Sequence, residues 1–273
     1  MLRRGFPHMS RYWPSALLLS VLLGILLAPL AARANERHFS YTYESAVLAP
    51  GEKELEVWST WRNGRDTRYT RFDERVEFEV GVLPGLQTSF YLNFTAIGQD
   101  SGGELVKSTD LSVSNEWKWR LLDSSLDAVG LALYFEATGA VDELELEGKI
   151  IVDKRIGNLL LAANFVAEHE WGFGIGETEK ELHLDGYLAA SWFFTPRFAV
   201  GIEAWNANII AGGTWEHSAF FLGPAMSYSG DGWWVSFTAL PQLPAFKPSE
   251  GGGKYVFTDY ERFQARLLFS FHI

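Results

Sequence analysis

The chain has 273 residues, no Cys, 26 Gly, 15% aromatic residues and a formal net charge of -11 at pH 7. Without Cys, a disulfide scaffold and lipoprotein processing are both excluded, and the acidity argues against nucleic acid, whose phosphates need clustered Lys and Arg. Beyond residue 34 no apolar run is long enough for a membrane-spanning helix, which leaves an all-β chain.

At the start, Arg3, Arg4 and Arg11 precede an apolar run over 16–30, and Ala32-Arg33-Ala34 offers a small-x-small cleavage site. This is the layout of a secretory signal peptide over residues 1–34, removed near Asn35. Residues 35–50 follow, with Phe39, Tyr41 and Tyr43 alternating until Ala49-Pro50-Gly51 breaks the pattern. They read as a short periplasmic segment or partial strand at the mouth of a barrel formed by 51–273.

Alternating segments then succeed one another, each with a greasy and a polar face. The first, near 53–61, sets Leu55, Val57 and Trp61 against Glu54, Glu56 and Thr60. In the second, near 70–82, Phe72, Val76, Phe78 and Val80 oppose Arg71, Asp73, Arg75, Glu77 and Glu79, while Glu74 on the apolar face must reach an interface. The third spans about 86–97. After a polar connection over 98–108, the fourth sets Leu111, Val113, Trp117 and Trp119 against Glu116, Lys118 and Arg120. The fifth is near 127–138. The sixth, near 143–155, carries Glu143, Glu145, Glu147, Lys149, Asp153 and Arg155 on one face, and the seventh, near 159–171, carries Glu168 and Glu170. The eighth, near 179–194, presents Glu181, His183 and Asp185 opposite Leu182, Leu184, Leu188 and Trp192. The ninth, near 198–206, holds Glu203. The tenth and eleventh, near 218–229 and 233–240, flank the tight turn Gly230-Asp231-Gly232. The twelfth, near 258–273, carries Arg262 and Arg266.

Short turns near 84, 123, 157, 196 and 231 alternate with longer polar loops near 65, 103, 175, 211 and 248; the connection near 140 is short where a long one is due. Aromatics gather toward strand ends, with Trp117, Trp119, Trp192, Phe194, Trp233, Phe269 and Phe271 on the short-turn side and Trp61, Phe72, Phe94, Trp171 and Trp205 on the long-loop side. Two aromatic belts and an even number of strands describe an up-and-down antiparallel transmembrane barrel of about twelve strands, with both termini in the periplasm of a Gram-negative bacterium.

Leu267, Phe269, Phe271 and Ile273 alternate with polar residues to the end of the sequence. This resembles the C-terminal strand by which barrel-assembly machinery recognises outer-membrane proteins, although such strands mostly end in Phe or Trp. The stretch Glu77-Phe78-Glu79-Val80-Gly81-Val82-Leu83-Pro84-Gly85, and Phe221-Leu222-Gly223-Pro224 with Trp233-Trp234 and Pro241-Gln242-Leu243, are similar to stretches of uncharacterised Gram-negative outer-membrane barrel proteins of transporter-like or porin-like description. The resemblance implies fold and location and brings no catalytic residues.

If the greasy face meets lipid, the charged face lines the lumen, where charges must pair or stay hydrated. Two readings fit: a salt-bridge network filling a plugged structural or interaction barrel, or a narrow acidic path for small solutes that favours cations. An enzyme is not expected. His183, between Glu181 and Asp185, has no inward Ser partner, and a lipid-modifying site at His169 lacks one as well. The Glu143, Glu145, Glu147 ladder invites a divalent cation, but pairing with neighbouring Arg explains it as well, and no cofactor or resident metal is expected. Arg62, Arg65 and Arg68 could meet lipopolysaccharide phosphates at the outer rim; beyond these, the expected partners are outer-membrane lipid and small solutes.

Overall fold

A computed structural model describes residues 36–173, 179–249 and 253–273; the expected signal peptide lies outside the described residues. The elements are β1 (Lys53–Asn63), β2 (Tyr69–Leu83), β3 (Leu86–Ser101), β4 (Glu104–Leu122), β5 (Gly130–Gly139), β6 (Glu143–Ile156), β7 (Leu159–Gly172), β8 (Glu179–Thr195), β9 (Phe198–Ala211), β10 (Thr214–Gly230), β11 (Trp233–Lys247) and β12 (Phe263–His272). Each strand pairs antiparallel with the next, and β1 pairs with β12, so the sheet closes into a barrel. Closure satisfies the N–H and C=O groups that an open edge would expose, which is the condition for crossing hydrocarbon with strands.

The period of two sorts side chains across the wall. Along β1, Glu54, Glu56 and Trp58 are buried in the bore while Val57 and Trp61 are exposed outside. The outer surface carries a continuous apolar band that includes Leu92, Val113, Phe165, Leu188 and Ile202. An exposed apolar area of that extent needs a lipid partner. Glu74, on this face, accepts a hydrogen bond at 2.7 Å from Ser59 on the adjacent strand.

Several connections differ from the sequence reading. Strands β3 and β4 run on through the expected loop over 98–108 to a two-residue turn, where Gly102 and Gly103 both have positive φ. Strands β9 and β10 likewise extend to Gly212 and Gly213, which share that conformation. Polar residues in these stretches stand beyond any apolar band, so their composition looks like loop while ladder pairing keeps them extended. In the opposite sense, the turn expected near 123 is a longer connection, in which the Ser125 N–H donates to Asp123 Oδ1 at 2.8 Å.

Leu188 lies on the outward face of β8 and is 63% exposed. Leu188→Arg should destabilise folding into lipid vesicles by about 2–4 kcal/mol, read from urea titrations. An unchanged midpoint would mean that this face does not meet hydrocarbon.

Candidate functional site: a plugged bore beneath a charged vestibule

Residues 36–50 enter the bore rather than standing at its mouth. Phe39, Ser40, Tyr41, Thr42, Tyr43, Ser45, Val47 and Leu48 are all buried. The alternating aromatics of this plug each join a cluster on the inner wall. Phe39 packs with Leu160, Phe193 and Ala199, Tyr41 with Trp205, Phe221 and Tyr260, and Tyr43 with Trp58, Tyr134 and Trp234. Cations cover two of the rings, with Arg266 4.0 Å from the Tyr41 centroid and Arg37 3.9 Å from that of Tyr43.

The plug forms no strand of its own, so its buried N–H groups need acceptors, and wall side chains provide them. Glu203 accepts from the N–H groups of Ser40 at 2.8 Å, Tyr41 at 3.0 Å and Thr42 at 2.7 Å, and from the hydroxyls of Thr42 and Thr238. Asn164 bonds both the N–H and the C=O of Tyr43. Asp153 accepts from Ser45 and Gln87 from Leu48, each at 2.9 Å. Where the chain presses on the wall, only glycine fits. A Cβ on Gly81 would lie 2.1 Å from the Ala49 carbonyl oxygen, and one on Gly130 would lie 2.2 Å from Ser45 Oγ.

Above the plug is a cavity of about 600 Å³, floored by Tyr41 and Tyr43 and reaching Ala140 and Glu143 at the loop end. Its charges are segregated. Arg62, Arg71, Arg75 and Arg266 stand on β1, β2 and β12, while Glu143, Glu145, Glu147, Glu168, Glu170 and Asp185 stand on β6 to β8, half a turn around the ring. Within the basic wall, Asp73 binds Arg62 at 2.9 Å and Arg71 at 2.6 Å. Arg75 reaches Glu136 at 3.5 Å, and Lys149 holds Glu147 at 2.8 Å. His183 lies 3.6 Å from Glu181 and 3.8 Å from Glu170. Glu168, Glu170 and His183, and separately Glu143, Glu145 and Glu170, have ligand atoms close enough to share a cation.

The other expected lumen charges lie elsewhere. Glu77, Glu79, Glu116, Lys118, Asp153 and Glu203 are buried at or below the level of the plug. Arg120 pairs with Asp123 at the turn end, and Arg155 lies exposed with its guanidinium over Phe193. Arg262 is a correction: it precedes β12, exposed on the loop beside Asp66, because the strand begins only at Phe263. Of the expected rim arginines, Arg62 and Arg65 turn inward, to Asp73 and to Glu261 at 2.7 Å.

Among the aromatics, Trp61, Phe72, Phe94, Trp117, Trp119, Trp192, Phe194 and Phe269 are exposed on the outer face, and Trp171, Trp233 and Phe271 are half-buried. Trp205 is the exception. It is 8% exposed inside the bore, its ring stacked on Phe221 and its Nε1 donating to Asp185 at 2.9 Å. Two residues apart on one strand share a face, so the inward Glu203 already requires an inward Trp205. Glu54 and Glu56, on the polar face of β1, are buried in the bore, and Glu136 is a further luminal carboxylate that the sequence reading did not single out, though strand parity marks it.

At the far end of the plug, His38 Nδ1 lies 3.0 Å from Glu44 Oε2, and the His38 N–H donates to Glu44 Oε1 at 2.7 Å. Burial would lower the His38 pKa, but the Glu44 carboxylate prevails and holds it above its ordinary 6.5. Burial would likewise raise Glu44, yet His38 holds it below its ordinary 4.5. The stability His38 contributes is therefore present below 6.5 and lost as pH rises through its raised value. That of Glu44 is present above 4.5 and lost as pH falls through its lowered value. With no native Cys, a nitroxide on Ala46→Cys reports the plug alone. It should be least mobile between those limits, and His38→Ala should flatten the alkaline limb of the profile. Mobility that ignores pH in both proteins would contradict this account.

No curated protein sequence matches the chain. Among solved structures it is similar to the NanC porin, at 12% identity and a TM-score of 0.51 over 80% of this chain and all of that one. It is also similar to the β domain of the Bordetella autotransporter BrkA, at 8% identity and a TM-score of 0.53 over 82% of this chain and all of that one. At such identities the likeness shows the fold, that of outer-membrane β-barrels. The profile of a family of unknown function, DUF6662, matches residues 31–270, and the chain belongs to that family.

Proposed function

We propose that this protein is an outer-membrane barrel for the passage of small cationic or dipolar solutes, closed in its resting state by its own N-terminal segment. In this reading the turn end and both termini face the periplasm, and the vestibule opens outward. The observation that carries it is the way residues 36–48 are held. The plug is not a strand of the barrel and leaves every ladder intact, so it can leave without opening the wall. Above it, carboxylates outnumber cations, and the opposed acidic and basic walls set a field across the cavity. An enzymatic role is not part of this reading: His183, His217 and His272 lie beside Glu170, Asp259 and Glu54, and His169 beside Trp171, and none of these contacts supplies a nucleophile.

The test is conductance in planar bilayers. The intact barrel should be silent or flicker briefly, whereas deletion of 36–48 should give sustained, cation-preferring current. Glu203→Ala orphans three buried N–H groups of the plug, a loss of about 2 kcal/mol or more, and should raise the open fraction without shortening the chain. Silence of both variants after folding is verified would favour the second reading, a structural or interaction barrel filled by its own segment.

A further inference from the structure

On the β1 to β4 side of the bore lies a patch of carboxylates that the vestibule does not include. Strand pairing sets Glu56 opposite Glu77, Glu54 opposite Glu79, and Ser89 between Glu79 and Glu116. All six side chains are buried. Arg37 of the plug interacts with Glu56 and Glu77, and Lys118 with Glu79 and Glu116, so acids outnumber bases. Glu54 is engaged by Trp234 Nε1 at 2.5 Å and by the Ser270 hydroxyl.

Other oxygens in the patch find no donor. Glu56 Oε1, both carboxylate oxygens of Glu77, Glu116 Oε1 and Ser89 Oγ are buried without a hydrogen-bond partner. Glu77 is only 1% exposed, and Arg37 and Lys118 together cannot offset the five buried carboxylates of the patch, an excess of charge that is costly in so enclosed a place. Trp58 Nε1 donates to Glu56 Oε2 at 2.7 Å, which fixes that carboxylate and leaves its Oε1 for the cluster. One oxygen each from Glu56, Glu77 and Glu79 lie within 4.8 Å of one another, a span that fits ligands about 2.3–2.6 Å from a calcium ion.

We infer that Glu56, Glu77 and Glu79 form a binding site for a single calcium ion on the inner wall. Calcium fits better than magnesium for a physical reason. Magnesium keeps several waters, whereas a site closed to solvent must supply most of its oxygens from protein, as three carboxylates able to bind through one or both oxygens do. The site is independent of whether the barrel conducts.

The folded full chain, stripped with a chelator, should take up one calcium ion per chain in isothermal titration calorimetry. Glu77→Gln, which preserves shape and removes the charge, should weaken that uptake by about tenfold or more. No uptake at all would overturn the assignment and leave a proton shared between Glu77 and Glu79 to neutralise the cluster. Uptake unaffected by Glu77→Gln but abolished by Glu170→Gln would overturn it too, by placing the ion in the vestibule. Should Glu77→Gln fail to fold, terbium on the unaltered acids gives the answer. Its luminescence should be sensitised by Trp58 and displaced by calcium, and emission unchanged in Trp58→Phe would count against the site.

Discussion

Closing a sheet on itself uses the hydrogen-bonding capacity of its backbone, and the interior of this barrel is shaped by that constraint. The ladder from β1 round to β12 engages the wall's N–H and C=O groups with one another. A non-strand segment threaded through such a bore finds almost no backbone to pair with. Its own buried N–H groups must be met by side chains, which is what Glu203, Asn164, Asp153 and Gln87 do. A carboxylate suits this task because it accepts several hydrogen bonds at once, and bonds to an ionised acceptor are the stronger kind. The polar richness of the lower lumen is thus in large part a consequence of filling it with chain.

The same residue type serves different ends at different depths. At the level of the plug, Glu203 answers backbone donors. In the vestibule, Glu143, Glu145, Glu168 and Glu170 face a wall of arginines across open space. Between β1 and β4, Glu56 and Glu77 hold buried oxygens that make no hydrogen bond. What separates the three is the partner that geometry brings, since the side chains are chemically alike. The aromatic residues divide in a similar way. Those facing outward carry the apolar band, and those facing inward, Trp58, Trp205 and Trp234, build the clusters on which Tyr41 and Tyr43 rest and direct their indole N–H groups to carboxylates.

Strand identity, strand number and the face on which most charges lie are local properties. Each follows from a side-chain period of two that can be followed from residue to residue, and for that reason they were legible in the amino-acid order alone. Parity placed Glu54 and Glu56 on the inward face and also contained the inward position of Trp205, beside Glu203, which the grouping of aromatics at strand ends obscures. The strands extending to Gly102-Gly103 and Gly212-Gly213 were less legible, because polar residues above an apolar band look like loop whether or not they are paired.

The destination of residues 36–50 was not legible at all. An alternating Phe39, Tyr41, Tyr43 is equally suited to an edge strand, a rim segment or a bore-filling chain. Only the closed ring brings β3, β6, β7 and β9 around that segment and juxtaposes Gln87, Asp153, Asn164 and Glu203, residues far apart in sequence, as its acceptors. The sequence by itself determined a barrel with a greasy outside and a charged inside, because alternation is written along one strand. The tertiary structure alone decided that the inside is occupied and how its carboxylates group, because both depend on contacts across the bore between strands that no local pattern relates.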